Sequence, residues 1–289
     1  MSINCCSLKK YFNNDSYKKQ IKLFIIILLI LLCFNSNFSE RYLNLYIITH
    51  VDFPNKISNS YYKIICDKKD QLKDKYQIKI IETYENNELY NKKVGYCEGS
   101  KIYYIWKNYK LRNLSSRYVG FNHYQRVFQF QNEIPNLDTI FANYDVIINN
   151  EVNLNNTVIE QFSNNHLGIS LNEILVIIKN KYSEYYSTAL KTLQETTLSC
   201  CNIFIMKKDD FIKYGEFVFG ILLEFDKIHN LTNDHDIRTF IKKEFNKIGK
   251  QNYDLYYQSR LEGFLLERIS NIFYNYQFKK KYRIITSNL

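Results

Sequence analysis

Tyr118–Phe128, YVGFNHYQRVF, brings an apolar run, a glycine, a histidine and an arginine together in one short stretch. RYVGF (117–121) reads as a strand, and NHYQR begins where that strand ends. Working outward, YLNLYIIT (42–49), YQIKII (76–81) and YDVIIN (144–149) share the strand-like pattern, and CCNIFIMK (200–207) reads as a buried strand. Helical patterns lie between them. YCEGSKIYYIWKNY (96–109) places Ile102, Ile105, Trp106 and Tyr109 on a face to be buried, and 157–195 is rich in helix signals. DDFIKYGEFVFGILLEFDKIHNL opens on acidic capping residues and returns to apolar ones at Phe211, Tyr214, Val218, Ile221, Leu222, Phe225 and Ile228, a long amphipathic helix. A further helix is expected over 259–275 and a closing strand at YRIIT. Strands separated by helical stretches predict an α/β fold, a mixed central sheet with helices on both faces.

With 289 residues, 46% of them hydrophobic, and only 8 Gly and 2 Pro, the chain has material for one sizeable core and is no disordered tail. The formal charge of +10 does not by itself indicate nucleic acid, because Lys9, Lys10, Lys18, Lys19 and Lys22 against Asp15 put +4 of it at the amino terminus. The rest is spread out, with no basic stripe or reader motif, so no nucleic-acid partner is expected. Ile21–Phe34, IKLFIIILLILLCF, is apolar apart from Lys22 and follows that lysine-rich flank. As a helix it would span about 21 Å, short of a hydrocarbon core of about 30 Å. It reads as an uncleaved signal anchor with the bulk of the chain on the luminal or extracytoplasmic side, the alternative being a cleaved signal and a secreted protein. Residues 1–40 thus form a basic tail and anchor, and 41–289 a single domain. Seven cysteines without a C-x-x-C spacing argue against a zinc or redox motif and against a complete disulfide framework.

In sheets of this kind ligands sit in the crevice beyond the carboxyl ends of strands. His123 and Arg126, with Tyr124 between them, offer an imidazole and a planar five-donor cation suited to a diphosphate. The plain alternative is a satisfied core histidine and a surface arginine.

CEGSKIYYIWKN followed closely by YVGFNHYQRVF resembles the paired signature of a domain-of-unknown-function family assigned to bacterial capsular-polysaccharide glycosyltransferases. In that family a Glu-led helix ending in Trp-Lys-Asn precedes a Gly-x-x-His-Tyr-Arg-Arg strand. NIFIMKKDDFIKYGEFVFGILLEFD and SRLEGFLLERISNIF extend the likeness in the same order, so that it covers roughly 94–275. Gln125 departs from the pattern by replacing an arginine, and 42–95 matches only loosely. The resemblance implies a nucleotide-sugar glycosyltransferase of type A fold, with a nucleotide-sugar donor and a glycan or other hydroxyl acceptor, acting in polysaccharide or glycoconjugate biosynthesis.

Many such enzymes hold a divalent metal with a strand-end Asp-x-Asp. Here the pattern occurs only at Asp234-His235-Asp236, between two helices, where helix capping explains it. No metal ligand is assigned, and use of a divalent metal stays open. The His-Tyr-Gln-Arg run occupies the metal motif's place, so His123 and Arg126 are expected to bear the diphosphate charge. Glu98, at the head of its helix, is expected to hold Arg126 or a substrate hydroxyl. Arg260, Gly263 and Glu267 share a helical face, the glycine leaving room for a ligand, with Glu267 as candidate base. An intrahelical Arg-Glu contact on a solvated face is the alternative. Asp145 is the fallback base, and Asn202, polar within a buried strand, is expected to meet a sugar hydroxyl or backbone. The rival to a transferase is a catalytically inactive nucleotide-sugar or glycan-binding module of the same fold.

Overall fold

A computed structural model of the chain describes residues 22–26, 42–52, 61–72, 78–112, 116–128, 130, 134–250 and 252–287. Of the expected anchor only 22–26 falls within them, a helical stretch whose Leu23, Phe24, Ile25 and Ile26 side chains are all exposed. The rest of 1–40 lies outside the described residues. Among those described, no helix is long and apolar enough to cross a membrane.

The sheet is mixed and seven-stranded. Its strands are β1 (Leu43–Ile48), β2 (Tyr62–Cys66), β3 (Lys79–Glu82), β4 (Tyr118–His123), β6 (Val146–Asn149), β9 (Phe204–Lys207) and β10 (Lys281–Ile284), in the order β10-β6-β9-β4-β1-β2-β3. β3, β2, β1 and β4 run parallel, as do β6 and β10, and β9 runs against both β4 and β6. The carboxyl ends of β1, β2 and β4 therefore lie side by side. Shorter pairs flank the sheet: β5 (Val127–Phe128) with β11 (Thr286–Ser287), and β7 (Val152–Asn153) with β8 (Thr197–Leu198).

Alternation along β1 divides the core. Tyr46 and Ile48 face the larger apolar cluster with α1 (Gly99–Arg112), α6 (Lys208–His229) and α8 (Leu261–Gln277). Leu43 and Leu45 face the smaller one, covered by α2 (Leu137–Asn143). Helices α3 (Val158–Asn165), α4 (Gly168–Lys181) and α5 (Ser183–Gln194) complete the larger layer, and α7 (Asp234–Lys247) follows α6. In α6 the expected stripe is buried from Phe211 to Phe225, but Ile228 is exposed. Gly215 lets α1 approach α6 closely, since a Cβ there would meet Trp106 at 2.1 Å. The Trp106 indole N–H donates to the carbonyl of Ile212 at 3.0 Å.

Three expectations shift. The strand placed at 76–81 is Lys79–Glu82, and β2 is an additional central strand. The helix placed at 96–109 begins at Gly99, because Cys97 takes φ 51° and separates it from a short helical turn at Lys93–Tyr96. The strand placed at 200–207 begins only at Phe204, because Cys201 and Asn202 both take positive φ and leave extended geometry.

Candidate active site

A cavity of about 450 Å³ opens at the carboxyl ends of β1, β2 and β4. After β1, the Thr49 hydroxyl accepts the N–H of Val51 at 3.1 Å, which turns the chain and leaves His50 at the cavity mouth. After β2, Asp67 forms a 2.8 Å ion pair with Lys101 of α1, and both are buried. After β4, the chain reverses in a tight turn. His123 N–H donates to Arg126 O at 3.1 Å and Arg126 N–H to His123 O at 2.8 Å, while Tyr124 N–H reaches back to Ile48 O at 3.0 Å. The turn thereby carries His123, Tyr124 and Gln125 to the cavity wall. Tyr124 lies edge-on to His50, ring centroids 5.1 Å apart.

The pair at the floor is Glu98 and His123, 3.3 Å apart. Glu98 sits at the start of α1 because its carbonyl accepts the first intrahelical bond, from Ile102 N–H at 3.1 Å. His123 Nδ1 accepts the N–H of Gln125 at 3.2 Å, so the neutral ring carries its proton on Nε2 and donates it to Glu98. Burial alone raises the Glu98 carboxyl, but the hydrogen bond from His123, a backbone N–H and Arg260 outweigh it and leave Glu98 below the ordinary carboxylate range. His50 is held below the ordinary imidazole value by desolvation first, then by His123 and Lys101.

Arg260 precedes α8 and reaches the cavity from the far side. Its Nε–H donates to Cys97 Sγ at 3.1 Å. Burial pushes that thiol up to about 12, so it orients the guanidinium while leaving its charge un-neutralised at neutral pH. Lys93 also lines the cavity, stacked over Tyr90 at 3.7 Å from the ring centre. Lys101 is spent on Asp67. Among the described residues the cavity therefore offers two available cations, the Glu98 carboxylate and the imidazoles of His50 and His123, a set that suits an anionic, hydroxyl-bearing ligand. Among the described residues no group of three or more His, Cys, Asp or Glu side chains is arranged to hold a metal ion.

Of the residues singled out in the sequence, Glu98, His123, Tyr124 and Arg260 come together in this cavity. The others do not line it. Arg126 turns its guanidinium to Cys201 Sγ, 2.8 Å away. Glu267 accepts the N–H of Cys201 at 2.8 Å and pairs with Arg268 at 2.8 Å. Gly263 leaves room for Cys97 rather than for a ligand, since a Cβ there would meet Sγ at 3.0 Å. Asn202 turns inward, accepting from the Ser270 hydroxyl at 3.4 Å, with its Nδ2 unpartnered. Asp145 lies at the amino end of β6, where it accepts the N–H groups of Lys279 and Lys280 at 3.0 and 2.9 Å. That is the opposite end of the sheet from the cavity. Asp234 is no strand-end ligand, since it accepts the N–H groups of Val94 and Gly95 behind the cavity wall, at 3.1 and 3.2 Å.

Sequence reasoning missed His50, Asp67, Lys93 and Lys101. Applying the strand-end rule to THVD after β1 would have flagged His50. Asp67 was out of reach because β2 had not been recognised.

A profile described as a domain of unknown function (DUF4422) matches residues 44–280. Among curated proteins no sequence matches. The solved apo structure of WbbM, described as a bifunctional glycosyltransferase, superposes with a TM-score of 0.61 at 18% identity, over 86% of this chain and 45% of that one. The likeness is one of fold, and this chain spans less than half of that protein's length.

Proposed function

The chain belongs to the DUF4422 family, and from that premise and the chemistry of its cavity we propose that it is a glycosyltransferase of type A fold, moving a sugar from a nucleotide-sugar donor to a hydroxyl of a glycan acceptor. The observation that carries this reading is the meeting, at adjoining carboxyl ends of parallel strands, of Arg260 and Lys93, which form no ion pair with any described carboxylate, with the Glu98–His123 pair. Arg260 and Lys93 take the diphosphate, and their charge stabilises the nucleoside diphosphate as it leaves with the electron pair of the glycosidic bond. Glu98 accepts the hydrogen bond of the acceptor hydroxyl and then its proton as the new bond forms. His123 fixes the carboxylate's orientation. A divalent cation, where one is used, would add charge at the diphosphate. We further propose that residues 41–289 act as one domain held at a membrane by the apolar stretch 21–34, whose lysine-rich flank favours the cytoplasmic side.

One observation favours the second reading, a binding module without transfer: Glu98 is held below the ordinary carboxylate range, which weakens it as a base. Incubating the purified chain with a panel of UDP-, GDP- and CMP-sugars, with and without manganese, separates the two. Saturable binding with slow sugar release supports the transferase, binding without release supports the nucleotide-sugar module, and no binding overturns both of these and leaves a glycan-binding module.

A further inference from the structure

Arg126 stands beside the cavity with its charge unspent. Its backbone is locked to His123 by two hydrogen bonds, and directly opposed residues of an antiparallel pair project to the same face. The guanidinium is exposed, yet held in place by donation to Cys201 Sγ at 2.8 Å. Cys201 and Asn202 are successive left-handed residues, φ 69° and 50°, a costly conformation that fixes where this thiol sits.

The thiol does not cancel the charge. Burial first, then Glu267, pushes it up to about 12, so it stays protonated at neutral pH. The nearest acid of the cluster is already committed, because Glu267 pairs with Arg268 and accepts the Cys201 N–H. Arg126 forms no ion pair with any described carboxylate. A guanidinium has five donors and the thiol occupies one, which leaves donors free for a planar anion.

We propose that Arg126 anchors a subsite for the carboxylate or phosphate of an anionic sugar residue, adjoining the nucleotide cavity across His123. The inference rests on the nucleotide-sugar reading of that cavity and adds the class of sugar. The anionic group belongs either to the donor's sugar ring or to the acceptor, and both present the same chemistry to the guanidinium.

The test compares charged and neutral partners by calorimetry on the full chain and its Arg126→Gln variant. The donor arm sets UDP-glucuronate against UDP-glucose and GDP-mannuronate against GDP-mannose. The acceptor arm sets methyl glucuronide and methyl glucoside 6-phosphate against methyl glucoside. In the wild-type chain the charged member is expected to bind about 10- to 100-fold more tightly in one arm, as one charge-assisted bond supplies, and Arg126→Gln should bring the ratio to about one. The arm that shows the preference identifies its source. Equal binding of charged and neutral members in both arms, or a preference that survives Arg126→Gln, overturns the subsite. If no nucleotide sugar binds, the reading of the cavity fails, and the acceptor arm still decides the role of Arg126.

Discussion

Arg260→Gln tests the proposed diphosphate contact most directly. Nε of Arg260 is committed to Cys97 at 3.1 Å, and the guanidinium lies at the cavity wall, half-buried. Its terminal nitrogens remain available to phosphate oxygens. Unit charges 4 Å apart interact by about 4 kcal/mol at an effective dielectric of about 20, and partial exposure lowers that. The relevant range is then that of a charge-assisted hydrogen bond, about 1.5–3 kcal/mol, or about a 10- to 150-fold weaker Kd. Glutamine keeps a donor toward the thiol and much of the bulk, so the fold should survive. Calorimetry with a nucleoside diphosphate and with the bare nucleoside isolates the effect, because only the former carries the charge. The nucleoside should bind both proteins alike. An unchanged diphosphate affinity refutes the contact, and an equal loss for both ligands shows damage to the cavity instead.

Glu98→Gln keeps an acceptor for His123 but cannot take a proton, so transfer should fall by about 10²–10⁴ with nucleotide affinity nearly intact; near wild-type turnover would remove Glu98 from proton transfer. His166 is buried against Phe264, ring centroids 3.9 Å apart, and is lowered from 6.5 to about 4, by desolvation first and then by Arg268. The unfolded chain binds this proton first, so stability is complete above pH 6.5 and is lost as pH falls toward 4, by about 3 kcal/mol. Urea melts of His166→Gln should show a correspondingly flatter acid limb, and an identical limb would contradict the assignment. Glu262 is fully buried, neither of its oxygens has a partner, and burial together with Asp226 holds it well above the ordinary range, so it is protonated. Glu262→Gln should change stability by less than about 1 kcal/mol in denaturant melts, whereas a loss of about 3–5 kcal/mol would mean that a buried ion pair had been broken.

What the sequence could reveal divides along physical lines. β1, β4 and α6 were legible because local pattern and tertiary burial agree: the α6 stripe expected from periodicity is buried from Phe211 to Phe225. β2 was not, because Lys63 interrupts YKIIC. In the fold that lysine is buried and its amine donates to Asn44 Oδ1 at 2.6 Å, a partner on the neighbouring strand that no local reading supplies. At the site, His123 was marked by its place at a strand end, and Glu98 and Arg260 by their helix positions together with the family resemblance. Of the expected face of Arg260, Gly263 and Glu267, the first two both meet Cys97, whereas Glu267, a turn further along α8, accepts the N–H of Cys201 on the chain before β9. The pairing of both site arginines with thiols, Arg260 with Cys97 and Arg126 with Cys201, had no sequence signal, since it depends on backbone at positive φ at each cysteine.

Two stretches of chain build the cavity and the ground beside it. Among the described residues the nucleotide wall comes almost wholly from 48–125, joined by Tyr256 and Arg260. The wall behind Arg126 comes from Cys201, Glu267 and Arg268. Substitutions in the later stretch can therefore remodel the ground beside Arg126 without disturbing the strand ends that carry His50, Asp67 and His123. A scaffold partitioned this way can diversify the sugar chemistry it serves while the strand ends and Arg260 keep their place around the nucleotide.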